Sequence, residues 1–145
     1  MNHSPAQLLL DNQLCFLFHR ITRDLNAAYR PLLSELGLTY PQYLVMLVLW
    51  EEDGRSVKEL GQQLCLDSGT LSPLLRRLDR LGFIERVRDR ADERRVQVQL
   101  TDDGRALRRR AEQIPETLGQ RLVDSPEEYL ALHRQLTSIA ARLEA

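Results

Sequence analysis

Only two cysteines, Cys15 and Cys65, occur in 145 residues. That is too few for a disulfide framework, and both are expected as reduced thiols at rest. No Cys or His cluster has metal-finger spacing, so no metal site is expected. A glycine-rich phosphate loop is missing, as is any Ser-His-Asp arrangement, and nothing calls for a conventional enzyme or a cofactor. Long apolar runs are missing too: the longest, Leu44 to Trp50, is far too short to cross a bilayer. The N-terminus lacks the charged-then-apolar order of a secretory leader, so no membrane role and a cytoplasmic location are expected. Net charge is nearly absent, −1 at pH 7, and attraction to a polyanion must therefore come from local charge. The length suits one domain, and any sensing must be built into that fold.

What is present is a pattern over residues 56 to 104: a short helix, a turn, a second helix, then a two-stranded ribbon bent around Asp92-Glu93-Arg94-Arg95. This is the order of a helix-turn-helix with a wing, and it points to duplex DNA. Ser56 and Glu59 are spaced as a capping box for a helix from about Val57 to Leu64, with Leu60 and Leu64 inward. The second helix starts at Asp67 or Ser68, either of which can cap it. Leu71, Leu74, Leu75 and Leu78 recur at helical period and face the domain, while Arg76, Arg77 and Arg80 lie on or beside the open face. Ser68, Thr70 and Ser72 put small hydroxyls near the helix start, where base edges and phosphates are met. Pro73 is placed in the first turns, with only mild distortion expected. Gly82 ends the helix, and Val96, Val98 and Leu100 give the ribbon one buried face. From Arg76 to Arg95 there are eight arginines and five acids, net positive in a slightly acidic chain. Arginine-rich hairpins also occur as plain solvated surface, and helix-turn-helix geometry also serves protein contacts.

Long amphipathic segments flank this head. The first starts at Ser4 or at Asp11-Asn12, carries a stripe at Leu14, Phe18, Ile21, Leu25, Ala28, Leu32 and Leu36, and stops at Gly37. A helix from about Pro41 or Gln42 to Glu52 is apolar nearly all round and is expected to be buried as the centre of the core. After the ribbon, Thr101 with Asp102 and Asp103 starts a helix with Leu107, Ala111, Ile114, Leu118 and Leu122 on one face, which Pro115 should bend. Ser125-Pro126-Glu127-Glu128 starts the last helix as a capping box. A head of about fifty residues cannot cover these stripes, so a homodimer is expected, with two heads in successive major grooves about 34 Å apart on a palindromic operator. A monomeric bundle is the plainer alternative. The fold class is mainly α with a small β-hairpin wing, one domain over 1–145. Dimerisation helices are expected at about 1–36 and 102–145, and the DNA-binding lobe at about 40–100.

Cys15 stands on the shoulder of the first stripe. A start at Asp11 or Asn12 would put it in the first turn, where the helix dipole eases loss of the thiol proton and His19, one turn on, would help. A start at Ser4 would remove that effect, and a half-buried thiol is also ordinary packing. Tyr29 lies on the same helix about 21 Å along it, so only an antiparallel partner helix can bring it to Cys15. Tyr40 is a second phenol able to donate to a thiolate.

Together these stretches resemble the MarR family of winged-helix regulators, and within it the organic hydroperoxide resistance regulators of one-cysteine type. The matching segments are Asp11-Asn12-Gln13-Leu14-Cys15-Phe16, Tyr29-Arg30-Pro31-Leu32-Leu33, Gly37-Leu38-Thr39-Tyr40-Pro41-Gln42-Tyr43-Leu44, Leu66-Asp67-Ser68-Gly69-Thr70-Leu71 and Asp92-Glu93-Arg94-Arg95 with Leu100-Thr101. The resemblance implies a homodimeric repressor whose Cys15 is oxidised by organic hydroperoxide, with Tyr29 and Tyr40 contacting the thiol across the dimer. It also implies a small external thiol as mixed-disulfide partner, since no cysteine follows Cys65. Cys65 falls where the family often has an aromatic residue and is taken as packing, and His19 falls where a phenol is common. On this reading Ser68, Thr70, Ser72, Arg76 and Arg77 enter the major groove and Arg94 the minor groove. The rival readings are a sibling repressor released by a small aromatic ligand, a thiol peroxidase, and a protein-interaction module.

Overall fold

The structure is a computed structural model that describes residues 5–144. Two short 3-10 turns, Pro5–Leu8 and Leu10–Asn12, lead into helix α1, Leu14–Ser34. Ser4, the earlier expected start, lies outside the described residues. The cap of α1 is Gln13 and not Asp11 or Asn12: the Asn12 amide is turned back to donate to the Ala6 carbonyl at 2.7 Å and is spent on the preceding turn. The helix ends at a left-handed Gly37 with φ of 73°, whose neighbour Leu38 donates back to the Leu33 carbonyl at 3.0 Å, the closure a helix C-terminus needs.

Helix α2, Tyr40–Glu51, opens where the Thr39 amide donates to the buried Gln42 side chain at 2.9 Å. Its Tyr43, Val45, Met46, Val48 and Leu49 are buried, but Leu47 remains 39% exposed, so burial is not complete all round. Strand β1, Arg55–Ser56, was not foreseen, and it joins β2, Ile84–Arg88, and β3, Val96–Leu100, in an antiparallel sheet of order β1-β3-β2. The two-stranded ribbon is thus three-stranded at its base, because Arg55 and Ser56 lie opposite Val98 and Gln97. A strand of two residues, the second of them the cap of α3, carries no alternation that sequence could reveal.

Helices α3, Val57–Leu64, and α4, Ser68–Arg80, complete the head. Leu60, Leu71, Leu75 and Leu78 are buried to 2% exposure or less, and each removes roughly 1.5–3 kcal/mol of apolar surface from water. Thr101 links head to α5, Asp102–Ala111: its hydroxyl donates to the Gly82 carbonyl at 2.5 Å and accepts from the Gly104 amide at 3.0 Å. The Trp50 indole donates to the Gly104 carbonyl at 2.9 Å.

Chain contacts cluster into two compact units that meet between Leu107 and Arg108. Pro115 does not bend a continuous helix as expected. The helix stops at Ala111 and a new one, α6, runs Ile114–Leu122 with the proline in its first turn. A ring at residue 115 would clash with the carbonyl of residue 111 and leave it without a donor, whereas the first turn needs none. Helix α7, Pro126–Leu143, is capped by Ser125, which accepts from the Glu128 amide at 3.1 Å. The returning Glu128 carboxylate takes the Asp124 amide at 2.8 Å. No residue of α7 is buried. No helix among the described residues is long and apolar enough to cross a membrane.

Candidate DNA interface and redox site

Asp67 starts α4: its carboxylate accepts from the Thr70 amide at 2.7 Å, and that hydrogen bond holds its pKa below the usual carboxylate range. Pro73 falls in the second turn, within the expected first turns, and α4 runs unbroken to Arg80. At about 100° per residue, Leu71, Leu75 and Leu78 face the core, and Gly69, Pro73, Arg76 and Arg80 fall on the opposite face. Ser68, Ser72 and Asp79 occupy the flank toward the wing, and Thr70, Leu74 and Arg77 the other flank.

Three of the six expected DNA residues, Ser68, Ser72 and Arg94, therefore line one groove with Lys58, Gln62 and Arg86, between α3, α4 and the wing. Arg76 stands on the open face, while Thr70 and Arg77 stand on the far flank. All but the half-buried Ser72 are exposed. Lys58 and Gln62 carried no sequence signal, because a polar residue on the first helix of the motif reads as ordinary surface.

The eight arginines of this region are not equivalent. Arg86 is paired with Asp79 at 3.0 Å and Arg95 with Glu59 at 3.2 Å. Among the described residues Arg76, Arg77, Arg80, Arg88, Arg90 and Arg94 have no ion-pair partner. Arg94 sits in a turn built for presentation: its amide donates to the Asp92 carboxylate at 3.0 Å, and the Arg95 amide donates to the Asp92 carbonyl at 2.9 Å.

Cys15 is the second residue of α1 and is exposed, which rules out burial within its own chain. His19, also exposed, stacks on Phe16 with ring centroids 6.4 Å apart. Leu14 and Ile21, on the same part of α1, are 64% and 49% exposed. At the other end of the helix, Tyr29 meets Tyr40 with centroids 4.6 Å apart, and Tyr43 lies 5.9 Å from Tyr29. Burial pushes the pKa of both Tyr40 and Tyr43 above the ordinary phenol value, and Tyr40 adds to the effect at Tyr43. Phenols held this way keep their protons and act as donors. Tyr43 was legible only as part of an apolar helix.

Cys65 departs from expectation. It is exposed, not packed, and caps α3 in the left-handed region at φ 55° and ψ 40°, because the chain must reverse there and no glycine is available. Among the described residues no group of three or more His, Cys, Asp or Glu side chains is placed to hold a metal ion.

Comparison with known proteins agrees with this geometry. The family described as transcriptional regulator SarA/Rot matches residues 27–110. The HTH-type transcriptional regulator TtmR of Methylorubrum extorquens is 50% identical over 136 residues, 94% of this chain and 70% of that protein. The organic hydroperoxide resistance transcriptional regulator of Bacillus subtilis is 50% identical over 118 residues, 81% of this chain and 80% of that protein. Reduced AbfR of Staphylococcus epidermidis, solved bound to DNA, superposes with a TM-score of 0.82 at 31% identity over 97% of this chain and 99% of its own. A winged helix-turn-helix assembled from α3, α4 and the β2–β3 hairpin, in a sequence this close to those regulators, settles the relationship: the chain belongs to the MarR family of winged-helix transcriptional regulators, on its organic hydroperoxide resistance branch.

Proposed function

We propose that this chain is a cytoplasmic homodimeric repressor that holds a palindromic operator when reduced and releases it when Cys15 is oxidised by an organic hydroperoxide. The observation that carries the sensing half is the meeting of Tyr40, at the start of α2, with Tyr29 on α1, the helix whose first turn exposes Cys15. An antiparallel copy of α1 brings one subunit's phenols to the other's thiol, which one chain cannot do across about 21 Å. Uncovered apolar side chains on α1, and separately Tyr129, Leu130 and Leu136 on α7, support residues 1–36 and 102–145 as dimerisation helices around a DNA-binding lobe at 40–100.

In the chemistry, the Cys15 thiolate attacks the hydroperoxide and the O–O bond breaks. One oxygen stays on sulfur as sulfenic acid, and the other leaves as the alcohol after taking a proton. A small thiol then condenses with the sulfenic acid, releasing water and leaving a mixed disulfide. Sulfenic acid is larger and more polar than a thiol and a mixed disulfide demands still more room in the subunit seam, and the shift is passed to the spacing of the heads. Ser68, Thr70, Ser72, Arg76 and Arg77 serve the major groove and Arg94 the minor groove.

The test is a gel shift with the promoter DNA beside its own gene, with and without an alkyl hydroperoxide, followed by intact mass. Wild type should shift the duplex, lose it on oxidation and gain mass at Cys15. Cys15→Ser should bind equally and ignore peroxide, and release of that variant at wild-type doses would sink the sensor reading. Release of Cys15→Ser by phenolic acids would favour the aromatic-ligand reading, and multiple turnovers of peroxide with a thiol reductant would favour the peroxidase.

A further inference from the structure

The groove between α3, α4 and the wing is cationic, yet Glu59 stands inside it. Its carboxylate is used twice: Oε2 accepts from the Ser56 amide at 2.9 Å, and Oε1 accepts from the Arg95 guanidinium at 3.2 Å. Ser56 lies in β1 opposite Gln97 of β3. The carboxylate therefore closes a ring of contacts from the start of α3, through Arg95, back along β3. Arg95 also closes the neck of the wing loop, its carbonyl accepting from the Asp89 amide at 2.8 Å. Its neighbour Arg94 has no ion pair among the described residues. Two adjacent arginines thus leave the same turn with different fates, one tied back to α3 and one presented outward.

We propose that Glu59 is a specificity-determining positioning residue: by holding Arg95 it fixes the wing against α3 and keeps Arg95 off the phosphate backbone, so that binding depends on a duplex that fits Arg94 and α4. This rests on the DNA-binding reading above. An exposed ion pair adds little stability, so geometry is what the tie supplies. A carboxylate in this groove repels every duplex alike, which lowers affinity that carries no sequence information. Releasing Arg95 adds a mobile cation that any phosphate can take.

The experiment compares two duplexes of equal length, the promoter DNA beside its own gene and a scrambled version of it, across a salt series. Glu59→Gln keeps an oxygen for the Ser56 amide and so keeps the start of α3, but loses the charge that holds Arg95. Its affinity for the scrambled duplex should rise about fivefold, and the slope of log affinity against log salt on that duplex should steepen by about 0.9 per head. The ratio of promoter to scrambled affinity should fall by a similar factor. Arg95→Gln, which leaves the α3 cap intact, should lower the same ratio without the gain on scrambled DNA, and adding it to Glu59→Gln should abolish that gain. Equal gains on both duplexes, or an unchanged ratio in both variants, would overturn the proposal. A wild type that binds neither duplex would instead overturn the DNA-binding reading, and this proposal with it.

Discussion

Tyr29 and Tyr40 lie ring against ring, 4.6 Å between centroids, although one belongs to α1 and the other opens α2. Pairing two phenols fixes both hydroxyls relative to one helix face, and burial keeps Tyr40 protonated. If these hydroxyls stabilise the Cys15 thiolate of a partner subunit, Tyr40→Phe removes one hydrogen bond to a charged group, worth about 1.5–3 kcal/mol. The second-order rate of Cys15 oxidation should fall at least about tenfold, with DNA affinity of the reduced protein unchanged. Stopped-flow oxidation followed by thiol titration measures it, and a wild-type rate would remove Tyr40 from the site.

The same burial predicts an alkaline signature. Tyr40 and Tyr43 have folded-state pKa values above the ordinary 10.0, so the folded state holds these protons more tightly than the unfolded chain. Their contribution is fully present below pH about 10 and is lost as pH rises through the raised values. Phenolate absorbance should show a late component from Tyr40 and Tyr43, and urea midpoints should decline above pH about 10 but not between about 7 and 9. Tyr40→Phe should shrink both effects.

Much of the head was readable before any coordinates. Ser56 with Glu59 and Asp67 ahead of Ser68 are local signals, because a cap is made within three residues and sequence spacing states it outright. Gly37 and Gly82 likewise mark helix ends, and both adopt positive φ. What escaped was set at long range. Strand β1 exists only because β3 passes beside it, and Pro115 divides α5 from α6 where periodicity alone ran straight through. Cys65 looked like core because small thiols usually are, but its place was decided by the reversal between α3 and α4. In the candidate site, the sequence offers Cys15, Tyr29 and Tyr40 as candidates, but the contact between the Tyr29 and Tyr40 rings depends on how α1 and α2 pack. Which arginines Asp79 and Glu59 neutralise was not, since those pairs span different elements.

That position of Cys65 gives a third expectation. A non-glycine residue in the left-handed region is strained, and glycine relieves the strain while losing more entropy on folding. Cys65→Gly should therefore raise stability slightly, by about 0.5 kcal/mol, in urea unfolding of the reduced protein. Its peroxide response should match wild type if Cys15 acts with an external thiol. A lost response would assign Cys65 a resolving role.

Gly104 is constrained from outside its own helix. A Cβ built there would lie 2.0 Å from the Phe83 carbonyl oxygen, a backbone atom that cannot turn aside, and the Gly104 carbonyl is already held by Trp50. Gly104→Ala should cost about 3 kcal/mol, read as a lower urea midpoint with unchanged slope. Trp50→Phe, which loses one hydrogen bond, should cost about 1 kcal/mol. A neutral Gly104→Ala would mean that the β2–α5 junction yields more readily than its contacts imply.

The division of arginines into tied and free makes the last prediction. A cation that contacts phosphate releases a counterion when DNA binds, so its loss lowers the salt slope by about one unit. Arg94 is exposed on the wing turn and has no ion pair among the described residues, whereas the Arg86 charge is cancelled by Asp79 at 3.0 Å. Arg94→Ala should weaken binding to the promoter duplex and flatten its salt dependence by about one unit per head. Arg86→Ala should leave the slope as it is, because the charge it removes was already matched. Fluorescence anisotropy on one duplex across a salt series resolves the two. Equal flattening in both variants would show that Asp79 does not shield Arg86 from DNA, and that local net charge alone, without regard to pairing, governs the grip.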